Sequence, residues 1–423
     1  MRDVTDRAWA LTRDASDPLA WLLDEFVVSD PELIYLDGNS LGRLPKRTRA
    51  RLAEVVEQEW GVGLVRSWHN WVNEPYRVGD LLGSSLLGAA PGQVLVCDNT
   101  TTNLYKLASA ALDDVLAREP ERRVIATDRG NFPTDRYVLE GLATARGLEL
   151  RLLDLEPLRP ITAALLETVL DDRLALLSLS LVDYRSAALA DMAGIERAAA
   201  GTGTHVVWDL SHAVGAVPVE LDATGAALAV GCTYKYVNAG PGAPAFVYVR
   251  HDLQDRLRQP IWGWFGQSDQ FGMGAGYDPV PGVGRHATGT PPVLGVAAVA
   301  EGVELLALAG IVELRRKSVG LTELLIGLHD AWLAELGFEL SSPRDPALRG
   351  GHVSLAHPDA YRISQALIAA SVIPDFRGPD RLRLGIAPAT TSYAQVWDAM
   401  DRLRSIVSSG AHLELSTARG SVT

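Results

Sequence analysis

The feature that most constrains this chain lies between about residues 90 and 250, where short apolar runs alternate with stretches of helical spacing. The runs are Val94–Asp98, Val124–Asp128, Glu149–Leu155, Leu174–Val182, His205–Leu210, Ala227–Gly231 and Ala243–Arg250. Short continuous apolar runs read as strands covered on both faces. Between them, Asn103–Ala117, Thr134–Ala145, Ile161–Leu170 and Met192–Ala200 carry the apolar spacing of helices. This alternation predicts an α/β fold, a mostly parallel seven-stranded sheet sandwiched by helices.

Past about residue 290 the texture changes. Val293–Leu308 and Ile311–Leu336 read as long helices, Gly351–Ala356 and Arg381–Ile386 as short strands, and Ser364–Ala370 and Tyr393–Val407 as helices. This is the pattern of a smaller α+β C-terminal domain. A length of 423 residues suits two domains. The expected division is an N-terminal segment, 1–60, packing on the small domain, a large domain over 61–288, the small domain over 289–408, and a flexible polar tail over 409–423.

Bulk properties exclude several functions. A net charge of −13 repels phosphate backbones, so nucleic acid is not an expected partner. Met1–Asp17 has no apolar core of a secretory signal, and no uninterrupted apolar stretch reaches the roughly 18 residues of a membrane span. The expectation is a cytoplasmic protein without membrane contact. Cys97 and Cys232 make neither a disulfide framework nor a zinc set, so no metal site is expected.

The chemistry concentrates in His205–Tyr236. One apolar run there ends at Asp209, and a second ends just before Cys232-Thr233-Tyr234-Lys235. Ligands of open α/β sheets sit at the carboxyl ends of the strands, which brings Asp209, His212, Tyr234 and Lys235 to one crevice. Only four of the 39 basic residues are lysines, Lys46, Lys106, Lys235 and Lys317. Arginine cannot form a Schiff base, so a site that needs an amine keeps lysine. An acid beside such a lysine suits pyridoxal 5′-phosphate: the carboxylate keeps the pyridine nitrogen protonated and the lysine carries the aldehyde. Read without that chemistry, Lys235 is a solvated surface lysine and Asp209 a helix cap.

Longer stretches sharpen this. The chain reads WDLSHAVGAVPVEL over 208–221 and AVGCTYKYVNAGPGAPAF over 229–246. It also carries YLDGNSLG at Tyr35–Gly42, NFPTDRYVLEG at Asn131–Gly141, GWFG at Gly263–Gly266, TGTPP at Thr288–Pro292 and DFRGPDRLRLGIAP at Asp375–Pro388. In sequence and order these resemble the kynureninase family of fold-type-I pyridoxal-phosphate enzymes, from about residue 20 to 408. The resemblance implies hydrolysis of L-kynurenine to anthranilate and L-alanine, in tryptophan catabolism and NAD biosynthesis, by a homodimer.

It also implies roles. Lys235 would be the Schiff-base lysine, with its imine pKa depressed to leave a neutral amine at neutral pH. Asp209 would pair with the pyridine nitrogen. Phe132 would stack on the ring, with Asp135 and His212 near its hydroxyl and acid edge. Thr100, Thr101, Ser180 and Tyr234 would hold the phosphate. A strand turning into a helix at Thr100 and Thr101 is an anion cradle on physical grounds, though ordinary capping also accounts for a threonine run there. Arg383 would clamp the substrate carboxylate as a bidentate fork, with Arg381 its competitor in the sequence. Trp264 and Thr290 would reach the phosphate from a neighbouring subunit. Ser40 and Trp68 would meet the substrate, with His69 an alternative to Trp68. Tyr234 would relay protons to the carbonyl oxygen and β-carbon.

Several positions depart from the family pattern: Gln267 after GWFG, Ala389-Thr390 after Ala387-Pro388, and Ser186-Ala187 within VDYRSAALADM. These leave a substituted kynurenine, 3-hydroxylated or ring-methylated, as an alternative substrate. Two other readings are a fold-type-I enzyme such as a cysteine desulfurase or an amino-acid epimerase, and a pyridoxal-phosphate-binding paralogue without turnover. A desulfurase needs a mobile nucleophilic cysteine, which neither Cys97 nor Cys232 offers by position.

Overall fold

A computed structural model describes residues 4–418; residues 1–3, and 419–423 of the expected tail, lie outside the described residues. The chain opens with a helix at Arg7–Ala15 and a two-residue strand β1 (Ile34–Tyr35). The main sheet then contains β2 (Val94–Cys97), β3 (Val124–Asp128), β4 (Glu149–Leu153), β5 (Leu174–Ser180), β6 (His205–Asp209), β7 (Leu228–Gly231) and β8 (Ala245–Val249). Their order is β2-β8-β7-β6-β5-β3-β4. β8 runs antiparallel to both neighbours and the remaining pairs are parallel. All seven apolar runs thus become strands; β3 keeps its expected bounds, while β2, β4, β5 and β6 end one or two residues earlier than expected. The turn after β2, for example, holds Asp98 at φ +46°. Strand β4 departs from the two-sided burial expected of it. It sits at the edge, pairs only with β3, and buries only Leu153.

Helices cover both faces. Thr100–Arg118 starts at Asn99, whose side chain accepts from the Thr102 amide. Pro133–Arg146 has proline in its first turn, and Met192–Thr202 is capped by Asp191. The helix expected over Ile161–Leu170 is absent. Only Ala163–Leu166 forms a short 3-10 turn, and the Ile161 carbonyl instead accepts from the Asp191 amide. Leu166 is the one fully buried side chain in that turn, too small an apolar face to hold a helix on the sheet.

One ionisable contact of the sheet core bears on stability. The indole of Trp208, fully buried in β6, donates to Glu196 at 2.7 Å. Burial pushes the Glu196 carboxyl up to about 7 from 4.5. Between those values the folded chain holds a proton that the unfolded chain has released. Stability therefore falls as pH rises through this window, and the contribution is gone above it. Glu196→Gln keeps an acceptor for Trp208. It is expected to stabilise the fold at pH 8 by up to about 3 kcal/mol, at about 1.4 kcal/mol per pKa unit, and far less at pH 5. Thermal unfolding at the two pH values checks this, and an equal gain at both removes the account.

Beyond the main sheet come β9 (Glu339–Leu340), β10 (His352–Ala356), β11 (Val372–Ile373), β12 (Asp375–Arg377) and β13 (Arg381–Gly385). A four-stranded antiparallel sheet has the order β12-β13-β10-β9. β1 pairs in parallel with β11, so the N-terminal segment adds to the C-terminal layer. The Arg7–Ala15 helix lies along Tyr393–Ser409, tied by the Arg7–Asp398 ion pair at 2.6 Å and by the Tyr393 amide donating to Asp14 at 2.7 Å. Two long helices join the layers. Val296, Val299 and Val303 of the first (Val293–Ala309) share the core of Trp208 and Leu177. Leu321, Leu324 and Leu328 of the second (Ile311–Leu328) share that of β10 and β13. Of the segment expected as a tail, Ala411–Glu414 forms a 3-10 turn with His412 buried. Among the described residues no single helix is long and apolar enough to cross a membrane.

Candidate active site

The carboxyl ends of β5, β6 and β7 meet the small sheet at one crevice. Strand β7 ends at Gly231, where a Cβ would strike the Phe246 ring at 2.6 Å, so the chain turns there without a side chain. The loop that follows carries Lys235, which is 9% exposed. Its Nζ lies 2.9 Å from His212 Nε2, 6.0 Å from the Phe132 ring centroid and 5.9 Å from that of Tyr234. The YLDGNSLG loop packs on this turn. The Gly42 amide donates to the Tyr234 carbonyl at 2.8 Å, and a Cβ at Gly42 would lie 2.3 Å from the Lys235 carbonyl.

Two buried carboxyls face the amine. Asp209, at the end of β6, accepts from the Ser211 amide at 2.8 Å. Burial pushes its carboxyl up, while Ser211 and the nearby Lys235 oppose the rise. Asp135, in the first turn of Pro133–Arg146, accepts from Asn131 at 3.3 Å. Burial and the neighbouring Asp209 hold its carboxyl well up. Asn131 also accepts from Ser180 at 2.8 Å, so Ser180 is tied to the Asp135 side of the crevice. Burial and the nearby Cys232 push the Tyr234 phenol up, so it stays protonated at neutral pH. His212 is driven down by burial and by Lys235, and is therefore neutral.

Arg383 in β13 is 1% exposed and enters from the small sheet. It donates to the Tyr184 carbonyl at 2.6 Å and to Ser40 at 3.3 Å, and pairs with the fully buried Asp375. Arg381 pairs with Asp380 at 2.6 Å and is a third exposed. The geometry therefore puts Arg383, not Arg381, against Ser40. Tyr184 stacks edge-on to Phe132 at 5.3 Å and so links the arginine to the lysine group.

Thr100 and Thr101 start the Thr100–Arg118 helix, and the Asn99 cap satisfies only Thr102, which leaves their amides without intrahelical partners. Thr101 shares a hydrogen bond with Thr134 at 2.9 Å. Trp264, Thr290 and Trp68 stand apart from Lys235. Trp264 is 46% exposed and its indole donates to Gln270. Thr290 is exposed as well. Trp68 packs on Trp71 at 5.3 Å and on Phe265 at 6.4 Å, which groups it with the GWFG segment. The His69 ring bonds the Arg66 carbonyl of its own turn. Gln267 accepts from the Asp278 amide at 2.7 Å and serves its own loop, while Ala389 and Thr390 are buried.

The sequence reading missed four polar residues here. Asp37, Asp375 and Tyr184 surround Arg383. Burial and Asp375 push the Asp37 carboxyl up to about 6. The fourth is His352, 0% exposed at the start of β10. Its ring lies 5.6 Å from that of His212. Asp135 Oδ1, His212 Nδ1 and both ring nitrogens of His352 have no hydrogen-bond partner among the described residues. Each such buried group costs about 1–3 kcal/mol, so their concentration marks a place where other atoms belong. A buried amine, an aromatic face, an acid for a ring nitrogen and unfilled helix-end amides fit pyridoxal 5′-phosphate.

Comparison with known proteins agrees with this donor set. The Aminotransferase class-V family matches residues 35–337, and the Kynureninase C-terminal domain family matches residues 314–403. The kynureninase of Pseudomonas fluorescens is 43% identical over 408 residues, 96% of each chain. The chain belongs to the kynureninase family. The kynureninase of Burkholderia pseudomallei strain K96243 is 41% identical over 409 residues, again 96% of each chain. The cofactor is pyridoxal 5′-phosphate. Among solved structures, the apo cysteine desulfurase of Thermococcus onnurineus NA1 superposes with a TM-score of 0.76 at 19% identity, over 89% of this chain and 95% of that one. The cystine C–S lyase C-DES in complex with cysteine persulfide gives 0.75 at 17% identity, over 88% and 98%. These two show a shared fold alone. In this kynureninase fold Cys97 and Cys232 are buried and their thiols are pushed up, so neither is poised as a desulfurase nucleophile.

Proposed function

We propose that Lys235, Tyr234 and Asp209 are the catalytic groups, and that Thr100, Thr101, Phe132, Asp135, Ser180 and His212 hold the cofactor with them. The reaction is hydrolysis of L-kynurenine to anthranilate and L-alanine. The observation that carries the reading is the buried Lys235 amine, held 2.9 Å from His212 and 6.0 Å from the Phe132 ring.

When bound, the cofactor supplies an electron sink for bond breaking at the substrate's α-carbon and between its β- and γ-carbons. The side chains do the rest. Lys235 tethers the cofactor and moves a proton at the α-carbon. Asp209 keeps a proton on the pyridine nitrogen. Tyr234, a protonated phenol at neutral pH, donates toward the γ-carbonyl oxygen as water adds there, and returns a proton toward the β-carbon. The water oxygen ends in the anthranilate carboxylate, and the proton gained at the β-carbon completes the alanine methyl.

Arg383 orients the substrate carboxylate with Ser40 beside it. Lysine cannot reproduce the planar fork. Arg383→Lys is expected to raise KM roughly 10- to 100-fold, the worth of a charge-assisted hydrogen bond, with a smaller change in kcat. Steady-state kinetics with an unchanged KM would remove Arg383 from this role.

The working enzyme is read as a cytoplasmic homodimer without membrane or nucleic-acid partners. The exposure of Trp264 and Thr290 supports their serving a neighbouring subunit, and Trp68, packed with Phe265, goes with them to the substrate's aromatic end. The packing of the Arg7–Ala15 helix and β1 on the C-terminal layer supports an N-terminal segment and small domain that form one unit beside the large domain. The test is a direct assay. Purified protein with pyridoxal 5′-phosphate receives L-kynurenine or 3-hydroxykynurenine, and anthranilate-type fluorescence and L-alanine are followed. Anthranilate and alanine in equal amounts are expected from kynurenine. No release from either compound sinks the reading.

A further inference from the structure

His212 and His352 come from different layers of the molecule. His212 follows β6 in the main sheet, and His352 opens β10 in the small one. Their rings are 5.6 Å apart between centroids and tilted by 57°. Three of their four ring nitrogens have no hydrogen-bond partner among the described residues, and the fourth, His212 Nε2, faces Lys235 at 2.9 Å. The Tyr184 carbonyl, which accepts from Arg383 at 2.6 Å, also faces His352 but does not meet hydrogen-bond geometry with either of its ring nitrogens. Packing alone does not account for His352, since an apolar ring of similar size would fill the space with no unpaired nitrogens.

We propose that His352 is a positioning residue for the hydrolysis, holding the Nδ1 side of His212 through one shared water. This rests on the reading of Lys235 as the reacting amine. The groups around the pair are Lys235, with Asp209 and Asp135 beside it, and Arg383 and Arg377 from the small sheet, with Asp375 paired to both arginines. Burial, with Arg383 and Lys235 nearby, keeps both imidazoles neutral. A neutral imidazole has one donor and one acceptor, and the bond made by one nitrogen fixes the tautomer at the other. The water accepts from His212 Nδ1–H and donates to His352. His212 Nε2 is then an acceptor aimed at Lys235, and the ring cannot turn away.

The holoenzyme variants His352→Phe and His352→Gln test this. His352→Phe removes two unpaired polar atoms, so its melting temperature is expected to hold or rise. Its kcat is expected to fall at least about 10-fold, less than the roughly 10²–10⁴-fold that losing a proton-handling group outright costs. The pH midpoint of the visible absorbance of lysine-bound cofactor should move with it, while KM changes little. His352→Gln, which can still meet a water, is expected to recover most of kcat. A phenylalanine variant with unchanged kcat and midpoint overturns the proposal. So does a loss of kcat that tracks a lowered melting temperature in both variants, which is the mark of a merely structural residue. Failure of the underlying reading looks different: the visible absorbance would survive in Lys235→Ala.

Discussion

Lys235→Ala is expected to abolish the visible absorbance of bound cofactor and to lower kcat for kynurenine by roughly 10⁴-fold or more, since it removes both the tether and the proton-moving base. The fold should survive. Among the described residues the Lys235 side chain makes one hydrogen bond, to His212, and without the amine the buried Asp209 and Asp135 carboxyls rise further and hold their protons. Far-ultraviolet circular dichroism and the absorbance spectrum with added cofactor separate the two effects. A variant that keeps the visible band would place the imine on one of the other three lysines. Lys106 is fully buried and held by Asp98 at 2.5 Å, Lys317 is paired with Asp17 at 2.7 Å, and Lys46 bonds the Asp24 carbonyl, so each is committed elsewhere.

Asp209→Ala is the second large effect. The carboxylate is buried, and its own partner is Ser211. In the proposed role it meets a cation that arrives with the cofactor. Losing one such preorganised group is expected to cost about 10²–10³-fold in kcat, with weaker cofactor retention. The carboxyl is already raised by burial, so its removal from the cofactor-free protein should cost little stability or add some. Equal losses of activity and of cofactor-free stability would mark Asp209 as a structural acid. Cofactor dialysis with single-turnover rates, beside thermal unfolding of the apo form, decides between them.

Much of this was legible in the sequence, because burial writes itself into composition. Strands β2, β3, β5, β6, β7 and β8 are covered on both faces and appear as unbroken apolar runs. Lys235 and Asp209 follow from the ends of two such runs, since a parallel sheet places those ends together. The illegible parts are those fixed by contact rather than by periodicity. Ile161–Leu170 has helical spacing but only a small face against the core. His352 opens a short strand that is otherwise apolar but for Ser354, and only the approach of the small sheet to His212 gives it meaning. Asp37 and Asp375 lie more than 300 positions apart and converge on Arg383 through β-pairing that no local pattern announces.

That pairing has a consequence for anyone who exchanges parts among relatives. The Ile34 amide donates to the Ser371 carbonyl at 2.9 Å, Leu36 to Ile373 at 2.8 Å, and Gly385 to Leu36 at 2.6 Å. Ser40 and Arg383 are therefore carried by one stitched body, although almost the whole chain separates them. A chimaera that transplants only the C-terminal third would part the two halves of a single grip. Residues 30–45 and 370–388 have to travel together, as if they were one inherited segment.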